Sequence, residues 1–175
     1  WGVPEVLPGG ASLRIGRLDG GARTYVAVRG GLIPTGPSSV DVGPPPVDPP
    51  SAQPAVPRSL DGSPRLWPGP RQDWFDDAAW ATLLAATWTV RPESDRIGLR
   101  LAGPALARTN ASELPSEGLV EGAIQVPPDG QPIVMLADHP TTGGYPVIAV
   151  VDPADIGLLA QRPPGSTVQF TRARP

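Results

Sequence analysis

Apolar and polar positions alternate in short runs along most of the chain, and the period turns helical in only two places. SLRIG (12–16) and ARTYVAVRGG (22–31) predict two strands joined through the turn-forming LDGGA. In the second, Tyr25, Ala27 and Arg29 share one face, and Thr24, Val26 and Val28 the other. Residues 32–65 break the alternation. Proline fixes φ and removes N–H donors too often there for sheet or helix, which predicts an arm or linker with extended pieces. In DWFDDAAWATLLAATWTVR the period becomes helical: Asp76 is the expected N-cap, and Trp80, Leu83, Leu84 and Thr87 recur on one face before TWTV turns to strand. Trp74, Trp80 and Trp88 are read as core for this helix. RIGLRLAG, GAIQVP, PIVMLAD, PVIAVV and STVQFT are short strands, and PPDGQP carries an Asp-Gly hairpin signal. DPADIGLLAQ is the second helix, capped by Asp152 with Pro153 in its first turn and Asp155 three residues after the cap.

Many short strands and two short helices make the chain mainly β, a barrel or sandwich rather than a βαβ fold. The predicted organisation is a first lobe over residues 1–31, a Pro/Gly-rich irregular arm over 32–65 and a C-terminal lobe over 66–175. The first residue is Trp1 and not Met, from which a longer parent protein or omitted segments are expected.

Composition narrows the functions. Pro (26) and Gly (21) make up over a quarter of the 175 residues, yet a 39% hydrophobic share supports a folded core. The net charge of −3 is too weak for a nucleic-acid footprint or a membrane-seeking surface. There is no cysteine and no lysine, so disulfides, thiol nucleophiles, Schiff bases, lysine phosphate loops and lysine-attached biotin are excluded in these residues. No apolar run approaches a membrane span and no leader is visible, so a cytoplasmic location is expected.

The chemistry concentrates in VMLADHPTTGGYPVIAVV (134–151), where a reversal carries more polar groups than a turn requires. Gly143 and Gly144 permit positive φ and close approach of backbone N–H groups, which with the Thr141 and Thr142 hydroxyls would make an anion-binding concavity. Tyr145 adds a phenol donor or a stacking face. The competing reading is a tight turn with Tyr145 packed on the barrel end. Asp138 and His139 are neighbours that project oppositely on extended backbone, so they are not expected to form a dyad. A lone His139 builds no multi-histidine metal site, and no metal is expected. Arg96 is a candidate carboxylate or phosphate ligand; its alternative is an Asp95–Arg96 surface pair with Ser94 as a turn cap. Gln125 either reads a ligand with its amide or straps a neighbouring loop.

Four stretches in order, RTYVAVRGG (23–31), SDRIGLRLAG (94–103), SEGLVEGAIQVPPDGQPIVMLADHPTTGGYPVIAVV (116–151) and PGSTVQF (164–170), with PGPRQDWF (68–75), resemble the C/D-subunit family of carboxyltransferases. Its members are called allophanate hydrolase subunit 2, the C subunit of 5-oxoprolinase, or KipA. The resemblance implies a cyclophilin-like β-barrel. It also implies a partner homologous to allophanate hydrolase subunit 1, which is the B subunit in 5-oxoprolinases. The implied activity is an ATP-dependent 5-oxoprolinase in which this chain works with the B-type and A-type subunits, with ATP used by the complex and no covalently bound cofactor. Two alternatives stay open: a regulatory protein that antagonises a kinase inhibitor, and half of a biotin-dependent carboxyltransferase of the urea carboxylase type. The expected ligand is a small amide, read by Gln125 and Thr141–Tyr145 with Arg96 holding an anion; Asp138 is a further substrate-binding candidate. This chain departs from the family at His139-Pro140, where Arg-Gln is usual, and at PSSV (37–40), where a Gly-Ser-Arg-Ser-Thr stretch is usual.

Overall fold

The computed structural model describes residues 5–16, 21–37, 39–44 and 62–174. Contacts divide it into two units, one within residues 1–19 and 23–58, the other within 20–22 and 59–175. In the first, β1 (Leu32–Gly36) pairs antiparallel with β2 (Ser39–Val42), with Leu32 opposite Val42 and an irregularity between Pro34 and Gly36. This hairpin lies in the stretch predicted to be an arm. Only Pro34 and Pro37 fall between residues 32 and 42, and Pro34 adjoins the irregularity, where a missing donor is tolerated. Conversely, the strands predicted at 12–16 and 22–31 do not form: no ladder partner engages either segment among the described residues, and Leu13, Ile15 and Tyr25 are exposed. An alternating pattern makes a strand only when a neighbour completes the hydrogen bonds. Arm residues 45–61 and the 17–20 part of the turn lie outside the described residues.

The second unit begins with β3 (Arg65–Pro68) and a 3₁₀ turn at Gln72–Trp74, then α1 (Asp77–Ala85). The Asp76 carboxylate accepts from Ala79 N (2.8 Å), which satisfies a free helix-end donor. Ala79, Trp80 and Leu83 form the buried face, Leu84 packs at its margin, and Thr87 is exposed beyond the end. The helix stops at Ala86, whose extended backbone leads into β4 (Trp88–Val90). Trp88 is fully buried, and its indole N–H donates to Leu83 O (3.0 Å), locking helix to strand. There follow β5 (Gly98–Ala102), β6 (Glu117–Gly118), β7 (Ala123–Gln125), β8 (Ile133–Met135), β9 (Thr142–Gly143) and β10 (Val147–Val151). A 3₁₀ turn at Pro153–Asp155, capped by Asp152 on Ala154 N (3.0 Å), leads to α2 (Ile156–Ala160), then β11 (Thr167–Val168) and β12 (Thr171–Arg172). Asp155 does not cap; it is buried and accepts from the backbone N (3.0 Å) and Nε (2.8 Å) of Arg65.

Eight strands form one sheet in the order β11-β4-β5-β8-β7-β10-β3-β12, antiparallel except at β12–β3. The predicted Asp-Gly hairpin joins β7 to β8, with Gly130 at φ +74°. The two edge strands, β11 and β12, are separated in the chain by Gln169 and Phe170 alone. Flat, the edges would lie roughly 34 Å apart at about 4.8 Å per strand. The link between them spans about 10 Å at most. The sheet must therefore curl until its edge strands come within that reach, in line with the mainly β, barrel-like expectation. Val90, Leu99, Leu101, Ile124, Val134 and Ile148 fill the inner face beneath α1. Alternation sends Ala123, Met135 and Val147 to the outer face, where Leu119 covers them in a second cluster. No helix among the described residues is long and apolar enough to cross a membrane.

Candidate functional site

The outer cluster fixes the loop that holds the candidate chemistry. β6 pairs with β9, Glu117 opposite Gly143 and Gly118 opposite Thr142, and Leu119 N donates to Thr141 O (2.9 Å). This small ladder lies over the sheet because Leu119 buries its side chain against Ala123, Met135 and Val147. Gln125, buried on β7, donates from Nε2 to Tyr145 O (3.0 Å). It is the internal strap, with its amide nitrogen spent on the loop. Gly143 packs directly over that amide: a Cβ there would sit 2.6 Å from Gln125 Nε2 and 2.8 Å from Leu119 Cδ1. Neither Gly143 nor Gly144 has positive φ, which corrects the expected backbone nest. Gly143 is small because of close packing. Thr141 and Thr142 are exposed, and Tyr145 is 44% exposed.

Arg96 and Asp138 pair with each other. Nε meets Oδ2 and Nη2 meets Oδ1, both at 2.9 Å, and Asp138 N donates to Arg96 O (3.0 Å). The guanidinium fork expected to grip an anion thus holds a carboxylate of the same chain. Asp95 caps a turn instead, accepting from Ile97 N (2.9 Å) and Gly98 N (3.0 Å). Ser94 bridges to Arg100, its Oγ accepting from Arg100 N at 3.0 Å. His139 is half-buried, with Nδ1 2.7 Å from Pro140 O. The structure therefore unites Gln125, Gly143 and Tyr145, and joins Arg96 to Asp138 as a separate exposed pair.

Sequence reasoning missed Arg71, whose Nε donates to Glu117 Oε2 (3.0 Å) while Nη2 meets Oε1. Arg71 N also donates to Val147 O (3.1 Å), so one residue ties β6 to the end of β10. The Arg71 hydrogen bonds hold the Glu117 carboxyl below the ordinary glutamate range despite some desolvation, and Glu117 raises Arg71 in turn. No local pattern links residues 46 apart; the only signal was that PGPRQDWF and SEGL each belong to the resemblance. Arg91 and Arg100, which with Tyr145 line a cleft of about 160 Å³ beside the strapped loop, were missed as well.

A curled, mostly antiparallel sheet with a braced polar loop on its outer face defines a barrel-type β domain, distinct from doubly wound nucleotide folds. The chain belongs to the family of the carboxyltransferase domain, subdomain A and B, which it matches over residues 36–172. It is 44% identical over 108 residues to the C subunit of 5-oxoprolinase from Escherichia coli (strain K12), covering 62% of this chain and 35% of that protein. The Haemophilus influenzae 5-oxoprolinase C subunit is 49% identical over 83 residues, 47% of this chain and 27% of its own. The chain thus spans about a third or less of the length of these curated relatives. The crystal structure of the K. lactis urea amidolyase superposes with a TM-score of 0.62 at 26% identity, over 78% of this chain and 9% of that one.

Proposed function

We propose that the chain is part of the C subunit of an ATP-dependent 5-oxoprolinase. In this reading it acts with homologues of the B and A subunits to open 5-oxoproline to L-glutamate, water adding across the lactam C–N bond. The observation that carries the reading is the 44% and 49% identity to 5-oxoprolinase C subunits, against 26% to the urea amidolyase structure. ATP is consumed by the complex; with no lysine among these 175 residues there is no lysine phosphate loop here, and the nucleotide is held outside these residues. No cofactor is attached covalently to this chain. Its own part is to frame the substrate with the braced β6–β9 loop and the adjoining cleft. The test is glutamate release from 5-oxoproline by the co-expressed proteins: release that requires ATP and this chain is expected, and no release under any combination of partners overturns the reading.

The likeness to urea amidolyase favours a second reading, half of a biotin-dependent carboxyltransferase. Biotin would then ride on another domain, since no lysine here can carry it. Urea-dependent discharge of carboxybiotin by the complex, without glutamate release, would establish that reading in place of the first.

A further inference from the structure

Register across β5, β8 and β7 sets Arg100 opposite Ile133 and Ile133 opposite Gln125. Opposed residues in a ladder project to the same side, so the three form one row on the outer face. The loop covers the Gln125 end. At the Arg100 end the row opens into the cleft of about 160 Å³, lined by Arg91, Arg100, Asp129, Gln131, Ile133 and Tyr145, among others. Pockets for drug-sized ligands hold roughly 300–1,000 Å³, so this one suits a small molecule.

Its polar groups are unequally engaged. Asp129 Oδ1 accepts from Gln131 N (3.0 Å), tying that carboxylate into the hairpin turn. Gln131 is bound both ways to Gly103, accepting from N at 2.9 Å and donating to O at 3.2 Å. Arg91 Nε donates to Glu93 (3.2 Å) in an exposed pair. The Arg100 guanidinium makes no hydrogen bond or ion pair among the described residues, although its charge helps to hold the Glu93 carboxyl below its ordinary range. That lowering comes first from a hydrogen bond to the Glu93 backbone. An arginine fork with no carboxylate, a second arginine in a weak exposed pair and an adjacent phenol make a site for an anion.

We propose, resting on the 5-oxoprolinase reading, that this cleft is the subsite for the carboxylate of a small lactam acid. Arg100 grips the carboxylate, Arg91 supports it, and Ile133 with the Tyr145 ring forms the apolar wall against the lactam ring. Neutral urea would leave the Arg100 guanidinium without an anion, so the same groups select a lactam acid over urea.

Calorimetric titration of the full chain with 5-oxoproline tests this, with 2-pyrrolidinone, the same lactam lacking the carboxylate, as comparison. Arg100→Gln is expected to weaken 5-oxoproline about tenfold or more, the usual scale for a lost charge-assisted contact. Arg91→Gln should weaken it several-fold, and Glu93→Gln, which frees the Arg91 Nε edge, should tighten it. Binding of 2-pyrrolidinone, and of 5-oxoproline to Arg172→Gln, whose changed residue lies outside the cleft lining, should stay the same. Equal 5-oxoproline affinity in wild type and Arg100→Gln overturns the subsite, while ATP-dependent glutamate release by the complex would keep the functional reading. Arg100-dependent binding of L-glutamate or acetate without any binding of 5-oxoproline upholds a carboxylate subsite and removes the 5-oxoprolinase reading. No binding of any carboxylate overturns the subsite. Should Arg100→Gln fail to fold, amide shifts in the wild-type chain decide: movement at Arg91, Arg100 and Tyr145 on adding 5-oxoproline supports the subsite, and movement elsewhere alone overturns it.

Discussion

Gly143 and Gly144 are adjacent and alike in sequence, yet the structure gives them opposite tolerances. A methyl at 143 would meet Gln125 Nε2 at 2.6 Å and Leu119 Cδ1 at 2.8 Å, both held in place by burial. At 144 the nearest atom is Leu114 O at 3.7 Å, an ordinary contact. Gly143→Ala should therefore cost about 1–3 kcal/mol through overpacking. Gly144→Ala should lie within about 0.5 kcal/mol of wild type. Urea melts of the two variants check this, and equal midpoints would mean that the loop does not sit on Gln125. Both glycines were legible as a reason to look at the loop. Their backbone conformation was not, because φ depends on how β9 docks on β6, which no local pattern encodes.

Between elements, the Arg71–Glu117 pair joins the 3₁₀ turn region to the β6–β9 ladder. Arg71→Gln should leave the sheet folded but speed amide exchange at Leu119 and Gly143, read by hydrogen-exchange mass spectrometry or NMR. Unchanged exchange would show that Leu119 burial alone holds the loop. The pH dependence follows from the depressed Glu117 pKa. A depressed carboxylate contributes stability that is fully present above its unfolded value of about 4.3 and is lost as pH falls through the lower folded value. The loop should thus loosen in acid below about pH 4, and a Glu117→Gln variant should show no such added acid sensitivity. The helices were readable at this scale: Asp76 and Asp152 cap as their positions suggest, because a cap acts within three residues. The strands predicted at 12–16 and 22–31 were misread, since alternation reports a half-buried surface and says nothing about whether a partner strand exists.

For the whole molecule, curling depends on the segment that supplies both edges. Phe170, 3% exposed, is the buried corner between β11 and β12. Phe170→Ala should cost about 3–5 kcal/mol, and calorimetry should show one cooperative transition of the second unit at lower temperature. Loss of β11 pairing alone would instead mean that the edges are independent. In the first unit Leu32, Ile33, Val40 and Val42 are all about half exposed or more, a surface that an isolated hairpin does not stabilise. With the B-type partner co-expressed, a stable complex burying on the order of 1,600 Å² in total is expected. Co-purification and light scattering check it, and a monomer eluting beside its partner would count against it.

The sequence by itself determined the mainly β class, both helices with their caps, the Asp-Gly hairpin and membership in the family, all properties of residues near one another or of runs in fixed order. It also marked 138–145 as the chemically unusual loop. Tertiary structure alone decided which polar groups were already engaged: Arg96 by Asp138, Gln125 by Tyr145 and Arg71 by Glu117, leaving Arg100 at the open end of the row. The physical reason is that a charge or amide carries the same recognition chemistry in any sequence. Whether it is spent inside the fold depends on which distant strands the register places opposite it.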